Sequence, residues 1–247
     1  MLTNISVEGF KSIHQLQNLA LGQVNVFVGA NGSGKSNLLE AIGVLSAAAS
    51  GISIDSESLG RRGVRLSPGE LYKTNLKEIK KNRTVSFQVQ GKWGEDIFDY
   101  KADLRTPDSH TDTWGFEGEE FRQNGKKLIS LEDIPRSPKF FAVDNFGQAL
   151  NPRLERALSR IFCQAILDSD SSRQVLLTTH NPLVLDGLNL RDERIRLFAV
   201  ERNQNTKGAS KITRVELSEK VLKQAETGTP LSQMWVMGLF GGVPDIF

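Results

Sequence analysis

Short apolar runs alternate with longer segments of helical periodicity along much of the chain. The runs Val24–Val28, Phe140–Val143 and Gln174–Thr178 are rich in β-branched, leucine and aromatic residues, as expected of strands buried on both faces. Helical spacing follows the first run over residues 35–49 and the second over Pro152–Leu167. Buried strands that alternate with helices predict an α/β fold with a mainly parallel sheet.

A second pattern, of period two, indicates an antiparallel element. Residues 84–90 alternate between apolar and polar side chains, residues 91–94 carry turn signals, and Ile97–Leu104 alternate again. We therefore expect an antiparallel β-hairpin with one buried face, inside a β-rich and loop-rich insertion over residues 50–130. Residues 2–9 also alternate and predict an edge strand.

The remaining elements are predicted from shorter apolar runs and helical spacings. Ile195–Val200 and Lys211–Val215 indicate two more strands, and residues 217–225 and 230–239 indicate two helices. Residues 105–127 are polar and aromatic without a clear period, so no element is predicted there.

The helix over Pro152–Leu167 carries an apolar stripe that we expect to face the core. Its members are Leu154, Leu158, Ile161, Phe162 and Ala165. Cys163 lies in the same pattern, which favours a core residue over a nucleophile.

Composition narrows the class of protein. The 247 residues are 38% hydrophobic, with 31 basic and 29 acidic residues and a net charge of +2, so any DNA binding needs a local patch such as Arg61–Arg65 or a partner. A solvated loop is the simpler interpretation of that patch. The single cysteine excludes an internal disulfide, and no apolar stretch is long enough for a membrane span. We therefore expect a cytoplasmic protein without membrane contact. His14 and His110 have no ligand-spaced partners, so no transition-metal site is predicted.

The first chemical motif follows the run Val24–Val28. Residues 29–36 match the phosphate-binding pattern G-x-x-x-x-G-K-[ST] at every position; the loop is Gly29, Ala30, Asn31, Gly32, Ser33, Gly34, Lys35 and Ser36. Glycines allow several backbone N–H groups to surround the phosphates of a nucleotide, at the N-terminus of the following helix. The Lys35 ammonium can reach the β- and γ-phosphates and the Ser36 hydroxyl can ligate Mg²⁺, which predicts binding of ATP with magnesium.

The second motif is the apolar run that ends in Asp144. A strand that delivers a carboxylate to the carboxyl edge of the sheet matches the Walker B pattern, and Asp144 is predicted to hold Mg²⁺ together with Ser36. ATPases of this architecture usually carry Glu at the next position, whereas this chain has Asn145. An amide can orient the attacking water but cannot take its proton. The hypothesis is that hydrolysis is slow or that the base comes from elsewhere.

The third motif is Thr178-Thr179-His180, directly after a buried strand. An imidazole at this place can donate a hydrogen bond to the γ-phosphate and so sense its presence. His180 and Asn145 are therefore the two residues predicted to act in hydrolysis.

Together these motifs resemble the ABC-type ATPase heads of the SMC/RecF-like group, which includes the OLD-like ATPases. The resemblance is also carried by Ile5–Ser12, by Asn31 and Asn37 around the phosphate loop, and by Ala149–Asn151. It implies a P-loop NTPase fold, a D-loop at Ala149–Asn151, a switch histidine at His180, and two ATP molecules held between heads in a homodimer or higher oligomer. For the nucleotide site it implies Asn31, Gly32, Ser33, Gly34, Lys35, Ser36 and Asn37.

Two features depart from that family pattern. Its signature loop is expected just before Asp144, but the only mimic, Leu66–Glu70, lies far upstream and contains Pro68, which has no N–H to offer a phosphate. Near residues 130–138 the sequence has neither the signature nor coiled-coil arms. Either the head is naturally shortened or a segment is missing; otherwise residues 1–247 are expected to form a single head.

Three functions follow as hypotheses. The first is an ATPase that works as a nucleotide-driven dimerisation switch, in bacterial anti-phage defence or DNA maintenance, with a separate effector such as a nuclease. The second is a nucleotide-gated scaffold with little or no hydrolysis, favoured by Asn145 and the missing signature. The third, a small-molecule kinase, is disfavoured because the antiparallel hairpin and the Thr-Thr-His strand fit an ABC-type head better.

Overall fold

A computed structural model describes most of the chain. The described residues are 1–51, 53–65, 84–107, 111–128, 140–147, 151–169, 173–203 and 208–241. They form two compact units. The antiparallel unit comprises Met1–Ala20, Ser36–Ser137 and Asn203–Ser210, and the parallel unit comprises Leu21–Lys35, Pro138–Arg202 and Lys211–Phe247. Within the described ranges, no helix has both the length and the apolar character that crossing a membrane requires.

The elements follow one another as strands first, then alternating strands and helices. In chain order they are β1 (Leu2–Phe10), β2 (Ile13–Ala20), β3 (Val24–Val28), α1 (Lys35–Ala48), α2 (Ser56–Gly60), β4 (Thr84–Trp93), β5 (Asp96–Arg105), β6 (Gly115–Gln123), β7 (Lys126–Lys127), β8 (Phe140–Val143), α3 (Pro152–Leu167), β9 (Gln174–Thr179), a 3-10 helix (Pro182–Gly187), β10 (Ile195–Asn203), β11 (Ala209–Val215), α4 (Glu219–Thr227) and α5 (Leu231–Val236).

The antiparallel unit is built on a six-stranded sheet of order β2-β1-β4-β5-β6-β7. The predicted hairpin is present as β4 and β5, and its period-two alternation buries Val85, Phe87 and Val89 on one face. The edge-strand prediction for β1 was wrong, because β1 pairs with β2 on one side and β4 on the other. Sequence reasoning missed β2, whose alternation is broken by a bulge in its pairing with β1 and by the left-handed Asn18.

Strand β6 was also missed, for a different reason. It reads Gly-Phe-Glu-Gly-Glu-Glu-Phe-Arg-Gln, and Phe121 is its one buried residue. Its position depends on backbone pairing with β5 and on cross-strand contacts such as Tyr100 with Phe121. A strand with so little apolar surface has no pattern that a sequence can show.

The parallel unit contains a five-stranded sheet of order β11-β10-β3-β9-β8, in which β10, β3, β9 and β8 run parallel. Strand β3 is central and every one of its residues is buried, as the apolar run predicts. The rings of Phe27 and Phe198 stack at 4.7 Å on adjacent strands. Parallel strands bring their carboxyl ends to one edge, and the predicted chemical residues follow β3, β8 and β9 at that edge.

One packing prediction for this unit was wrong and another was right only in part. Among the described residues, strand β8 pairs with β9 alone, so it is an edge strand and not a buried one, and Phe141 is 47% exposed. The predicted apolar stripe of α3 is inward only in part. Leu158 and Phe162 pack against the core, whereas Leu154 and Ile161 are half-exposed or more. Glu155 and Ser159, outside the predicted stripe, are buried. The helix instead turns the line of Glu155, Ser159, Cys163 and Ile166 inward.

The other predictions for α3 and the C-terminal helices agree with the structure. Cys163 is buried in the core, and burial raises the pKa of its thiol to about 12, which suits a packing residue rather than a nucleophile. Helix α5 packs Leu231, Met234 and Trp235 into the same core.

Candidate functional site

The loop after β3 has the compact backbone that phosphate binding requires. Gly32 and Gly34 have φ angles of +77° and +104°, which L side chains rarely adopt. A methyl group on Gly29 would lie 2.2 Å from the Val200 carbonyl oxygen, so the first glycine lets the loop pass close to β10. These glycines are therefore needed for the path of the loop, as the motif predicts.

Lys35 places its ammonium inside this loop. Its Nζ donates to the carbonyl oxygens of Gly29 and Ala30, at 2.9 and 2.7 Å. Desolvation by burial lowers the pKa of Lys35, and the nearby charge of Asp144 opposes that shift. Lys35, predicted to bind phosphate, therefore interacts electrostatically with Asp144, predicted to bind magnesium.

A residue that sequence reasoning missed, Arg202, reaches the same loop. It lies near the carboxyl end of β10, and its Nε donates to the Gly32 carbonyl oxygen at 2.7 Å. The contact joins residues 170 positions apart, so no local pattern reveals it. Arg202 brings a second cation to the loop beside Lys35.

Asp144 lies directly after β8, as the Walker B pattern predicts, and Thr178 of β9 orients it. The Thr178 hydroxyl donates to the Asp144 carboxylate at 2.5 Å and accepts from the Asn145 backbone N–H at 2.9 Å. Thr178 is fully buried between the neighbouring strands β3 and β8. This arrangement fixes one carboxylate oxygen at the sheet edge.

Asn145 has a backbone reason for its identity. Its φ angle is +54°, in the left-handed region that Asn tolerates better than Glu does. The Glu usual at this position would therefore be strained here. The amide side chain consequently reflects the path of the chain after β8 as well as any role toward water.

The predicted sensor turn lies next to the phosphate loop. The Gly29 backbone N–H donates to the Thr179 carbonyl oxygen at 3.3 Å, so the end of β9 and the start of the loop are joined. His180 follows at once and is half-buried. In the part of the chain that the structure describes, its Nδ1 is buried without a hydrogen-bond partner.

The other predicted nucleotide residues differ in their surroundings. Asn31 and Gly32 are exposed, Ser33 is buried, and Ser36 is the second residue of α1. The Asn37 amide donates to the Ser12 hydroxyl at 2.6 Å. Asn37 therefore ties the start of α1 to the turn between β1 and β2, an engagement that the sequence did not indicate.

Glu155, on the first turn of α3, is a second residue that the sequence did not reveal. It is completely buried, and desolvation raises the pKa of its carboxyl group. Its Oε2 accepts a hydrogen bond from the Asn181 side chain, directly after His180. Asn181 stands next to the predicted motif, which is the one local signal that points toward this contact.

The basic segment over Arg61–Arg65 is engaged within its own unit. Arg61 pairs with Glu57, Arg62 donates to the Ser58 carbonyl oxygen at 2.9 Å, and Arg65 pairs with Glu40. Those contacts fit the solvated-loop interpretation of the patch.

The donor set at the sheet edge suits magnesium. Among the described residues, no group of three or more His, Cys, Asp or Glu side chains could hold a metal ion. Mg²⁺ is commonly bound by one or two protein oxygens together with substrate phosphates and water, rather than by a full protein cage. The Asp144 carboxylate at the edge of the parallel sheet is an oxygen donor of that kind.

Several sequence predictions lie outside the described residues. These are the signature mimic Leu66–Glu70, the shortened region near 130–138, the first two D-loop positions Ala149 and Leu150, and His110. The last D-loop position, Asn151, caps α3, and its side chain accepts from the Leu154 backbone N–H.

Comparison with known families gives a partial match. Residues 24–132 match the family described as "AAA domain, putative AbiEii toxin, Type IV TA system". A comparison with curated protein sequences gives no match.

Comparison with solved structures shows a similar fold in an SMC head domain. An SMC head domain from Thermotoga maritima is 13% identical, with a TM-score of 0.53 over 87% of this chain and 99% of that one. Two structures of the recombination mediator protein RecF of the RecFOR pathway, RecF-ATP and RecF-ATPrS, are 21% identical with a TM-score of 0.32. They cover 68% of this chain, which spans 40% and 39% of theirs. The predicted fold is confirmed, and the chain has the fold of an SMC-type ATPase head domain.

Proposed function

We propose that this protein binds ATP with magnesium at the loop Gly29–Ser36 and acts as a nucleotide-driven dimerisation switch. In this proposal two heads close around ATP, hydrolyse it slowly, and gate a separate effector such as a nuclease. Cytosolic anti-phage defence or DNA maintenance is the setting that we propose, by analogy with related heads. DNA remains a candidate partner through that effector or a local basic patch.

One observation supports nucleotide binding above all others. The Lys35 ammonium lies inside a glycine loop at the start of α1, close enough to Asp144 for their charges to interact. A loop of backbone N–H groups, a helix N-terminus and an ammonium form an anion site suited to a triphosphate. Arg202 at Gly32 adds a second positive charge to that site.

The proposed magnesium ligands are Asp144 and Ser36. When bound, the ion neutralises charge that develops on the transferred phosphoryl group. Thr178 holds the Asp144 carboxylate by a hydrogen bond, which fixes the orientation of that carboxylate. Asn31, Gly32, Ser33, Gly34 and Asn37 complete the proposed nucleotide site.

Asn145 and His180 are proposed to act on the attacking water and the γ-phosphate. An Asn amide can orient water without accepting its proton, so loss of the usual general base is expected to slow turnover about 10²–10⁴-fold. A backbone hydrogen bond between Gly29 and Thr179 holds His180, the next residue, beside the phosphate loop. That position suits a sensor of the γ-phosphate.

The experiment measures mass by light scattering and phosphate release with and without Mg-ATP. We expect a monomer that becomes a dimer with ATP, and turnover well below one per second. His180→Gln should retain nucleotide binding and lose turnover. A wild-type mass that is unchanged by saturating Mg-ATP would overturn the dimerisation switch.

A second candidate is a nucleotide-gated scaffold without hydrolysis. The left-handed backbone at Asn145 favours it, because that conformation disfavours the catalytic Glu at this position. ATP-dependent dimerisation without detectable phosphate release, with and without DNA, would support the scaffold over the ATPase.

A further inference from the structure

One carboxylate in the parallel unit is buried without full compensation. Glu155 is completely shielded from solvent, and in the described residues its Oε1 has no hydrogen-bond partner. Its Oε2 accepts from Asn181. Buried charges in proteins are normally paired or fully hydrogen-bonded, so an under-partnered carboxylate calls for a reason.

The loop after Asp144 passes directly over this carboxylate. A methyl group on Gly147 would lie 2.5 Å from the Glu155 Oε1, and Gly147 has a φ angle of +82°. The loop therefore approaches Glu155 as closely as only glycine allows. Glu155 thus lies between the loop that carries Asn145 and the turn that carries His180.

The turn on the other side is held by a set of connected hydrogen bonds. The Asn181 backbone N–H donates to the Thr179 hydroxyl at 3.1 Å, and that hydroxyl donates to the Phe146 carbonyl oxygen at 3.2 Å. The Asn181 side-chain oxygen accepts from the Leu183 backbone N–H at 3.1 Å while its nitrogen donates to Glu155. His180 stands between two residues whose side chains are both fixed in this way.

We infer that Glu155 is a positioning residue, which holds the His180 turn against the loop Asp144–Gly147. In this way it fixes the position of His180 relative to Asn145, the other residue predicted to act in hydrolysis. The inference rests on the proposed function and adds to it a residue that acts through Asn181 rather than on the nucleotide. The hydrogen bond from the Asn181 side chain to Glu155 joins this turn to the first turn of α3.

The chemistry of the bond supports a positioning role over simple packing. An ionised carboxylate is a strong acceptor, and hydrogen bonds to charged groups are stronger and more directional than neutral ones. A space-filling residue at this position would leave the Asn181 amide unpartnered and able to rotate. A displacement of about 1 Å at a reacting group can lower the rate about 100-fold.

The experiment uses Glu155→Gln and Asn181→Ala, with Glu226→Gln as the matched control. Glu226 is an exposed carboxylate of the same unit whose partner is Arg191. The chain has three histidines, so the ¹⁵N imidazole signals of histidine-labelled protein are few, and His180→Gln identifies the signal of interest. His14, in the antiparallel unit, is the internal reference.

We expect Glu155→Gln and Asn181→Ala to shift the His180 signals and to leave those of His14 unchanged. The turnover number should fall 10- to 100-fold while the dissociation constant for Mg-ATP changes less than twofold. Circular dichroism confirms that each variant is folded, and Glu226→Gln should match the wild type in every readout.

Two results would overturn the inference. One is a His180 signal unchanged in Glu155→Gln; the other is a nucleotide affinity that falls as far as turnover does. If the wild type does not bind or hydrolyse ATP, the proposed function fails, but the His180 spectra still decide whether Glu155 positions the turn.

Discussion

Two buried carboxylates, one in each unit, are treated in opposite ways. Glu40, on α1 in the antiparallel unit, pairs with both Lys11 and Arg65. Glu155, on α3 in the parallel unit, has an amide on one oxygen and no partner among the described residues on the other. Both side chains are almost or wholly inaccessible to solvent.

The difference distinguishes Glu40, a charge with a structural role, from Glu155, a carboxylate whose surroundings depend on the position of a neighbouring turn. Two cations compensate Glu40 and fix the helix that follows the phosphate loop, so its position tolerates little change. Glu155 is held by a single bond to the turn beside His180, so the energy of its environment depends on where that turn lies. The incomplete compensation of Glu155 occurs beside the turn where we propose that nucleotide is sensed.

Replacement of Glu40 is expected to have the largest effect on stability. Glu40→Ala removes the partner of Lys11 and Arg65 and leaves the Lys11 ammonium, 12% exposed, without its carboxylate. Breaking such a pair is expected to lower the free energy of unfolding by about 3 kcal/mol, measured by urea denaturation.

The control is Glu57→Ala in the same unit. Glu57 pairs with Arg61 one helical turn away, and both side chains are about three-quarters exposed. Its loss is expected to change stability by less than about 1 kcal/mol. Equal losses in the two variants would show that Glu40 is not a special anchor.

A smaller effect on stability is expected at two residues whose backbone is left-handed. Lys11 has a φ angle of +47° and Asn145 of +54°. Asn145→Gly relieves strain and is expected to be neutral or stabilising by up to about 1 kcal/mol. Lys11→Gly relieves similar strain but loses the ion pair with Glu40, so it should destabilise. Opposite signs in thermal denaturation support the comparison, and a shared sign contradicts it.

The smallest expected effect is a change in pH dependence. Burial raises the pKa of Glu155 above its ordinary value of 4.5. At pH values between the ordinary and the raised pKa, the native state therefore binds more protons than the unfolded state. This group therefore makes stability fall as pH rises from about its ordinary pKa to its raised value. Glu155→Gln should remove that slope in urea titrations across the acid range. A slope that is the same in both proteins would contradict the burial of an ionisable group there.

The local motifs were predictable because each lies on contiguous residues. The strand, glycine loop and helix around Lys35 form in the order that the sequence indicates, and Asp144 and His180 follow strands whose apolar runs are visible. Apolar periodicity also revealed the β4–β5 hairpin. These features depend on spacing within about ten residues, which a sequence records directly.

The rest depends on contacts between distant residues. Glu155 looks like a solvent-facing position on α3, but it is buried, and its partner Asn181 lies 26 residues away. Arg202 reaches Gly32 across 170 residues. The reason for Asn145 is a backbone angle, which no side-chain pattern indicates.

The most direct test of the central claim is calorimetric titration of Mg-ATP into the wild type and Lys35→Ala. The Lys35 ammonium donates to two carbonyl oxygens of the loop, and its loss removes the charge predicted to contact the β- and γ-phosphates. We expect measurable binding to the wild type and a loss of at least about 100-fold in the variant, about 2.7 kcal/mol. Equal affinity in the two proteins, or no binding to the wild type, would contradict it.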